Sequence, residues 1–144
     1  MAGNKNLSTT SIRGLIGLAG PYDFLPLTSE RLKEIFPSAE IQASSQPIRY
    51  ARGNGPSALL LAGDADTVVS TKNTRNFSAR IRESKGRVQE KYYAGMGHIK
   101  IVTVLAAPFR NGHAVLDDIA EFVRAESGRD SNRGGTLTNV TRGR

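Results

Sequence analysis

The feature that most constrains the fold is a short apolar run in the middle of the chain, ALLLA at residues 58–62, which is followed at once by G-D-A-D. A run this short, wholly apolar and closed by turn residues predicts a buried strand. A strand that is apolar on both faces and precedes a helix is typical of a parallel sheet covered by helices. Ligands of open α/β sheets bind at the carboxyl ends of the strands. Asp64 and Asp66 therefore stand at a position where chemistry is expected.

The rest of the chain predicts the same kind of fold. Strand and helix patterns alternate in the order strand 12–20, helix 28–36, strand 58–62, helix 70–85, strand 87–95 and amphipathic helix 113–124. This alternation indicates an α/β fold with about three parallel strands and flanking helices. The strand at 87–95 is less apolar than the second and is expected nearer an edge of the sheet. The Ser-, Gly- and Pro-rich segment 38–57 is expected to be a long irregular connection, in which a short turn could form around SSQPIRYA at 44–51.

Composition limits the class of protein. The 144 residues are 38% hydrophobic and include no cysteine, which fits a single ordinary domain and excludes disulfides and a thiolate zinc site. No apolar stretch approaches the roughly 18 residues that a membrane span needs. The first residues have no apolar core and do not resemble a secretory signal. We therefore expect no membrane span and a cytoplasmic location.

The charge is high, with a formal net value of +7. Residues 127–144 carry four arginines against one aspartate, hence +3, which leaves +4 for residues 1–126. In that body the basic residues alternate with acidic ones, and the aromatic residues do not alternate with them as base-stacking side chains would. Nucleic acid is therefore not a favoured partner, although binding through the tail remains a weaker third option. Residues 1–126 form the predicted folded body, and the tail, too polar to bury a core, is predicted to be disordered.

Polar side chains follow all three predicted strands. Asp23 comes after the first, Asp64 and Asp66 after the second, and His98 after the third. These ends meet at one edge of a parallel sheet, so a carboxylate there could accept the ring N–H of His98 and fix its orientation. Alternatively, Asp66 caps the following helix and His98 is an ordinary loop histidine. Spacing alone does not decide between these interpretations.

Three motifs carry a resemblance to a known family. They are GPYDF at 20–24, G-x-x-D-x-x-V at 63–69 and Y-x-G-x-G-H at 93–98. Together with the segments around them, they make residues 11–124 similar to the C-terminal half of an α/β-hydrolase. The nearest resemblance is to carboxylesterase and arylesterase-like enzymes related to hormone-sensitive lipase and to kynurenine formamidase. The resemblance implies a partial α/β-hydrolase fold that contains the last three strands of the sheet.

The resemblance also implies roles for individual residues. Asp66 occupies the position of the catalytic acid and His98 that of the catalytic base. Asp64 falls on a variable position and is expected to be a turn residue. His113 has no catalytic counterpart and is expected at the surface or as a helix cap.

The GPYDF segment resembles a region that borders the acyl pocket and lid in such enzymes. Tyr22, Asp23 and Phe24 are accordingly candidates for lining a substrate cleft. The alternative, a turn packed beneath a lid helix, remains equally open.

Two parts of the catalytic apparatus are missing from the sequence. Such enzymes place the nucleophile in a G-x-S-x-G turn, and neither this motif nor an H-G-G-like oxyanion loop occurs here. In the family order, both would precede residue 1. The chain is therefore expected to be a truncated serine hydrolase that acts on a small ester only when completed by an N-terminal half. Whether it is an enzyme on its own stays open. No metal or organic cofactor is implied.

A second class of function is compatible with the same features. The first strand would lack its neighbour in the sheet, which leaves an apolar edge able to associate. The chain could then be a non-catalytic interaction module that forms a homo-oligomer or binds a complementing chain. The sequence does not define the substrate, the oligomeric state, or whether this is a natural short protein or a fragment.

Overall fold

The computed structural model describes residues 12–106 and 114–129, and their core is a three-stranded parallel sheet in the order β1-β2-β3. The elements are β1 Gly14–Leu18, α1 Glu30–Ile35, α2 Ala39–Ser44, a 3-10 helix Pro47–Tyr50, β2 Ser57–Gly63, α3 Lys72–Glu83, β3 Val88–Tyr93, α4 His98–Thr103 and α5 Ala114–Gly128. Three parallel strands with flanking helices are what the sequence predicts, and the fold class is confirmed.

The central strand β2 explains why the sheet is covered on both faces. Every residue of β2 is buried, and its side chains alternate between two apolar clusters. Leu59 and Leu61 pack in a cluster that includes Ile101 of α4 and Phe122 of α5. Ala58 and Leu60 pack in the opposite cluster, which includes Phe77 and Ile81 of α3. The wholly apolar run therefore packs against helices on both faces of the sheet.

Strand β1 forms one edge of the sheet among the described residues. It pairs with β2 in parallel register, with Gly14 beside Ser57 and Leu18 beside Leu61. The side chains of Leu15 and Ile16 are 41% and 36% exposed. An apolar strand with an unpaired side and partly exposed side chains is a surface on which another chain could pair.

The segment between α1 and β2 is more regular than expected. Ser38 accepts a hydrogen bond from the backbone N–H of Ile41 and caps α2, whereas the composition of 38–57 predicts an irregular connection. The 3-10 helix that follows is joined to the end of α2, because the hydroxyl of Tyr50 donates a hydrogen bond to the carbonyl of Ser44. The expectation of an irregular segment is therefore wrong for α2, because a local cap outweighs its composition. The 3-10 helix lies where a short turn could be expected.

The C-terminal helix also differs in extent. α5 continues to Gly128, two residues into the segment predicted as a tail from residue 127. Residues 130–144 and His113 lie outside the described residues, and the disorder of the tail stays a prediction.

Candidate active site

Asp66 is held in a turn directly after β2. Its side chain is fully buried, and its Oδ1 accepts the backbone N–H groups of Val68 at 2.9 Å and Val69 at 2.7 Å. Both donors precede α3, which begins at Lys72. Asp66 therefore stabilises the turn that follows the strand and does not cap the helix.

His98 meets Asp66 from the neighbouring strand end. It is the first residue of α4, after Gly97, and its Nδ1 lies 2.9 Å from Asp66 Oδ2. The side chain of His98 is 25% exposed. The two carboxylate oxygens of Asp66 thus have different partners, the backbone on one and the imidazole on the other, and the ring keeps access to solvent.

Hydrogen bonding sets the charge of Asp66. Burial by itself raises the pKa of this carboxyl, but the hydrogen bonds from Val69, His98 and Val68 outweigh burial and hold the pKa below its usual value. Asp66 is consequently ionised at neutral pH and can accept a hydrogen bond from Nδ1–H of the ring. In the neutral form of the ring with the proton on Nδ1, the other nitrogen, Nε2, is unprotonated and can accept a proton.

The two loops that carry the pair are joined by backbone contacts. Ala65 donates its N–H to the carbonyl of Met96 at 3.2 Å, and Gly95 donates to Asp64 Oδ1 at 2.7 Å. A Cβ at Gly63 would overlap the carbonyl oxygen of Met96, so only glycine permits this approach. Gly95 has a φ of 65°, which glycine adopts at little cost. These contacts fix the distance between the two strand ends.

The structure separates the three residues of the predicted substrate cleft. Tyr22 stacks on Phe77 at 4.7 Å between ring centroids and contributes to the cluster beneath α3. Asp23 accepts a 2.5 Å hydrogen bond from Asn76. Phe24 lines a cavity of about 560 Å³. Of the three candidates, Phe24 alone is a lining residue, and a role for any of them in binding a substrate stays a prediction.

This cavity lies next to the turn that holds Asp66. It is mainly apolar, and its lining residues are Pro21, Phe24, Pro26, Leu27, Thr28, Leu32, Phe36, Ser45, Pro47, Val68, Val69 and Asn73. Val68 and Val69 are also the residues whose N–H groups bind Asp66. Asp66 and His98 do not line it, so the cavity borders the pair from the side of the turn.

Sequence reasoning missed the residues that support this region. Asn73 Oδ1 accepts the N–H of Asp23 at 2.7 Å, and Gln46 Oε1 accepts the N–H of Phe24 at 2.8 Å. Gln46 and Asn73 are only 3% and 7% exposed. A buried amide side chain leaves no local sequence signal, because its partner is distant in the chain.

No metal centre or membrane helix emerges from the part of the chain that the structure describes. No three His, Cys, Asp or Glu side chains there are grouped so that they could hold a metal ion. No helix in that part is both long enough and apolar enough to span a bilayer.

Comparison with known proteins identifies the fold. Neither a protein-family model nor a curated protein sequence matches the chain. Among solved structures, it is similar to a truncated form of a carbohydrate esterase from gut microbiota, with 16% identity, a TM-score of 0.61 and 81% of this chain covered. It is similar to esterase 2 of Thermogutta terrifontis, with 18% identity, a TM-score of 0.57 and 88% covered. It is also similar to a bifunctional GH43-CE protein of Bacteroides eggerthii, with 21% identity, a TM-score of 0.58 and 80% of this chain covered.

These likenesses show that the chain has a partial esterase-type α/β fold, as the motifs predict. The chain spans 43% of the carbohydrate esterase, 43% of the Thermogutta esterase and 17% of the bifunctional protein. It therefore corresponds to less than half the length of the esterases that it resembles.

Proposed function

We propose that the chain supplies the acid and the base of a serine esterase, and that the nucleophile and oxyanion donors come from outside this sequence. The observation that carries the proposal is the 2.9 Å contact between Asp66 Oδ2 and His98 Nδ1 at adjacent ends of parallel strands. An esterase-type fold around that contact supports it. No cofactor takes part in the proposed reaction.

The proposal gives each group a step. Asp66 orients the ring and stabilises the imidazolium form. Nε2 of His98 accepts the proton of a serine hydroxyl as that oxygen attacks the ester carbonyl, and then returns it to the leaving alcohol. The resulting acyl-serine is cleaved when His98 activates water in the same way. The substrate class that we propose is a small ester.

A nucleophile is the missing part of this cycle. The sequence contains no G-x-S-x-G turn, and a histidine–carboxylate pair without a nucleophile and oxyanion donors retains little of the rate enhancement of a triad. We accordingly expect the isolated chain to be nearly inactive, and activity to require a second polypeptide segment.

A hybrid protein tests this proposal. Residues 12–129 replace the matched 43% of the Thermogutta esterase, and hydrolysis of p-nitrophenyl acetate is measured in hybrids whose cooperative unfolding shows that they are folded. The proposal predicts turnover that falls by about 10³-fold or more in His98→Gln. Lys100→Gln, an exposed change on the same helix, is the matched control. A folded hybrid whose turnover does not depend on His98 would contradict the proposal.

The alternative function, an interaction module, draws support from the exposed Leu15 and Ile16 at the outer strand. It predicts a mass above that of the monomer in light scattering, which Ile16→Lys would return to the monomer value. A monomeric wild-type chain at high concentration would contradict self-association.

A further inference from the structure

A cluster of arginines lies at the end of the sheet where the strands begin, opposite the end that carries the Asp66–His98 pair. Arg82, Arg87 and Arg129 line one cavity of about 290 Å³. Ser57 and Val88, the first residues of β2 and β3, line it too. Parallel strands place their starts at one edge and their ends at the other. This cavity is therefore distinct from the candidate active site, and the proposed esterase chemistry does not use it.

The cluster holds more positive charge than its own acids compensate. Glu126 is the only carboxylate among the described lining residues, and it is 8% exposed. It binds Arg129, and it lies 3.4 Å from Arg87 Nη2, a long contact. Three guanidinium groups face Glu126 in the lining and Glu90, which pairs with Arg82 just outside it, so an excess of one positive charge remains.

Most N–H donors of the cluster have no hydrogen-bond partner among the residues that the structure describes. Each guanidinium has five N–H groups, whereas Arg82 uses one nitrogen on Glu90 at 3.1 Å, outside the lining. Arg129 makes one further contact, to Ser57 Oγ at 3.5 Å. The side chains of Arg82, Arg87 and Arg129 are 50%, 59% and 49% exposed. A ligand can therefore reach all three from solvent.

The size and the donors of the cavity indicate a ligand class. Its volume of about 290 Å³ lies just below the range of small-molecule pockets, roughly 300–1,000 Å³. Guanidinium groups bind phosphate oxygens by paired hydrogen bonds. Arg82 lies in α3, Arg87 directly before β3 and Arg129 directly after α5. Donors from three separate segments suit a tetrahedral oxyanion better than a planar carboxylate. A nucleotide or a larger ligand would extend beyond this volume.

We propose that Arg82, Arg87 and Arg129 form a binding site for a phosphate group, either free phosphate or the phosphate of a small phosphomonoester. Glu126 holds two of the three guanidinium groups in place through the contacts described above. The site lies where β2 and β3 begin, whereas His98 follows the end of β3, so bound phosphate occupies a position separate from any ester substrate.

Isothermal titration calorimetry and thermal unfolding with sodium phosphate test the site, with sodium chloride at the same ionic strength as the reference because surface charges are screened by any salt. The site predicts a saturable heat of binding and a rise in melting temperature that follows phosphate concentration. Phenyl phosphate in a parallel titration distinguishes the two sources. If phenyl phosphate binds more tightly than phosphate, the ligand of the site is a phosphomonoester. If it binds more weakly, the ligand is the free phosphate ion.

Two variants of exposed arginines distinguish binding at this site from a general effect of the protein's positive charge. Arg87→Gln removes a donor from the cavity and is expected to weaken phosphate binding about tenfold. Arg80→Gln removes the same charge from α3, outside the cavity lining, where Arg80 pairs with Glu83 at 3.5 Å, and is expected to change binding less than twofold. Equal weakening in both variants would overturn the proposal. So would a response to phosphate no larger than that to chloride, or binding of an oligonucleotide without binding of phosphate.

Discussion

Asp66 and His98 are 32 residues apart in the sequence, yet Oδ2 of the first lies 2.9 Å from Nδ1 of the second. The contact exists because β2 and β3 are parallel neighbours whose last residues, Gly63 and Tyr93, are register partners. Each strand ends in a loop, and the backbone bond from Ala65 to Met96 joins the two loops. The sheet itself therefore brings a carboxylate and an imidazole together.

Replacement of Gly63 by alanine should separate the pair. The added Cβ would overlap the carbonyl oxygen of Met96, so the loop that carries His98 must move, at a cost of about 1–3 kcal/mol in the free energy of unfolding. Urea unfolding and the chemical shifts of the His98 ring would report the two effects. Gly97→Ala is the control, since its Cβ would meet nothing closer than 3.6 Å. Equal effects from the two substitutions would contradict the role given to Gly63.

The central strand should dominate stability. Leu60 is fully buried, and its truncation to alanine should lower the free energy of unfolding by about 2–5 kcal/mol through lost burial and the cavity left behind. Leu32→Ala, at a residue 41% exposed on α1, should cost less than half as much in the same urea titration. A similar loss from both would show that β2 is not the centre of the core.

Part of this fold and site can be predicted from the sequence, because the local pattern of residues determines it. The apolar run at 58–62 can only be buried, and the turn residues after it mark the strand end. Other parts depend on distant contacts. Leu15 and Ile16 have the apolar character of a buried strand but lie at an edge, where neighbours rather than residue type decide exposure.

The candidate site shows the same division. The motifs single out Asp66 and His98, whereas Tyr22, from a segment expected to border a substrate cleft, stacks on Phe77. No spacing rule connects two residues 55 positions apart. Helix α2 is a different case, because Ser38 followed by Ala39 and Glu40 is a local cap signal that composition obscured.

Stability should fall in acid through Asp118. Burial raises the pKa of this carboxyl, but hydrogen bonds from Lys91 and Tyr93 at 2.5 and 2.6 Å outweigh burial and hold the pKa below its usual value. The native state therefore binds its proton less readily than the unfolded state, so the stabilisation is present above about pH 4 and is lost as pH falls through the native pKa.

Asp118→Asn tests this pH dependence. It should lower the melting temperature at pH 7, and the difference from wild type should shrink toward pH 3. Asp117→Asn, an exposed neighbour, should leave the curve nearly unchanged across the same thermal unfolding series. A difference that persists undiminished at pH 3 would contradict the assignment.

The isolated chain should show no hydrolysis of p-nitrophenyl acetate that depends on His98, because no G-x-S-x-G nucleophile is present. Purified wild type and His98→Ala should give the same slow rate at pH 7.5, without a burst of p-nitrophenol. Turnover that vanishes in His98→Ala would show that a nucleophile or an activated water lies within this sequence.

The tautomer of His98 tests the central claim most directly. In wild type, ¹⁵N NMR near neutral pH should show the neutral ring protonated at Nδ1, because ionised Asp66 accepts that proton. In Asp66→Asn, the amide oxygen should take the place of Oδ1, which accepts from Val68 and Val69. The NH₂ group would then face the ring and favour protonation at Nε2. Asp64→Asn, at an exposed carboxylate that contacts Gly95, should leave the tautomer unchanged. A wild-type ring protonated at Nε2 would contradict the account, because the nitrogen that must accept a proton from a nucleophile would already be occupied.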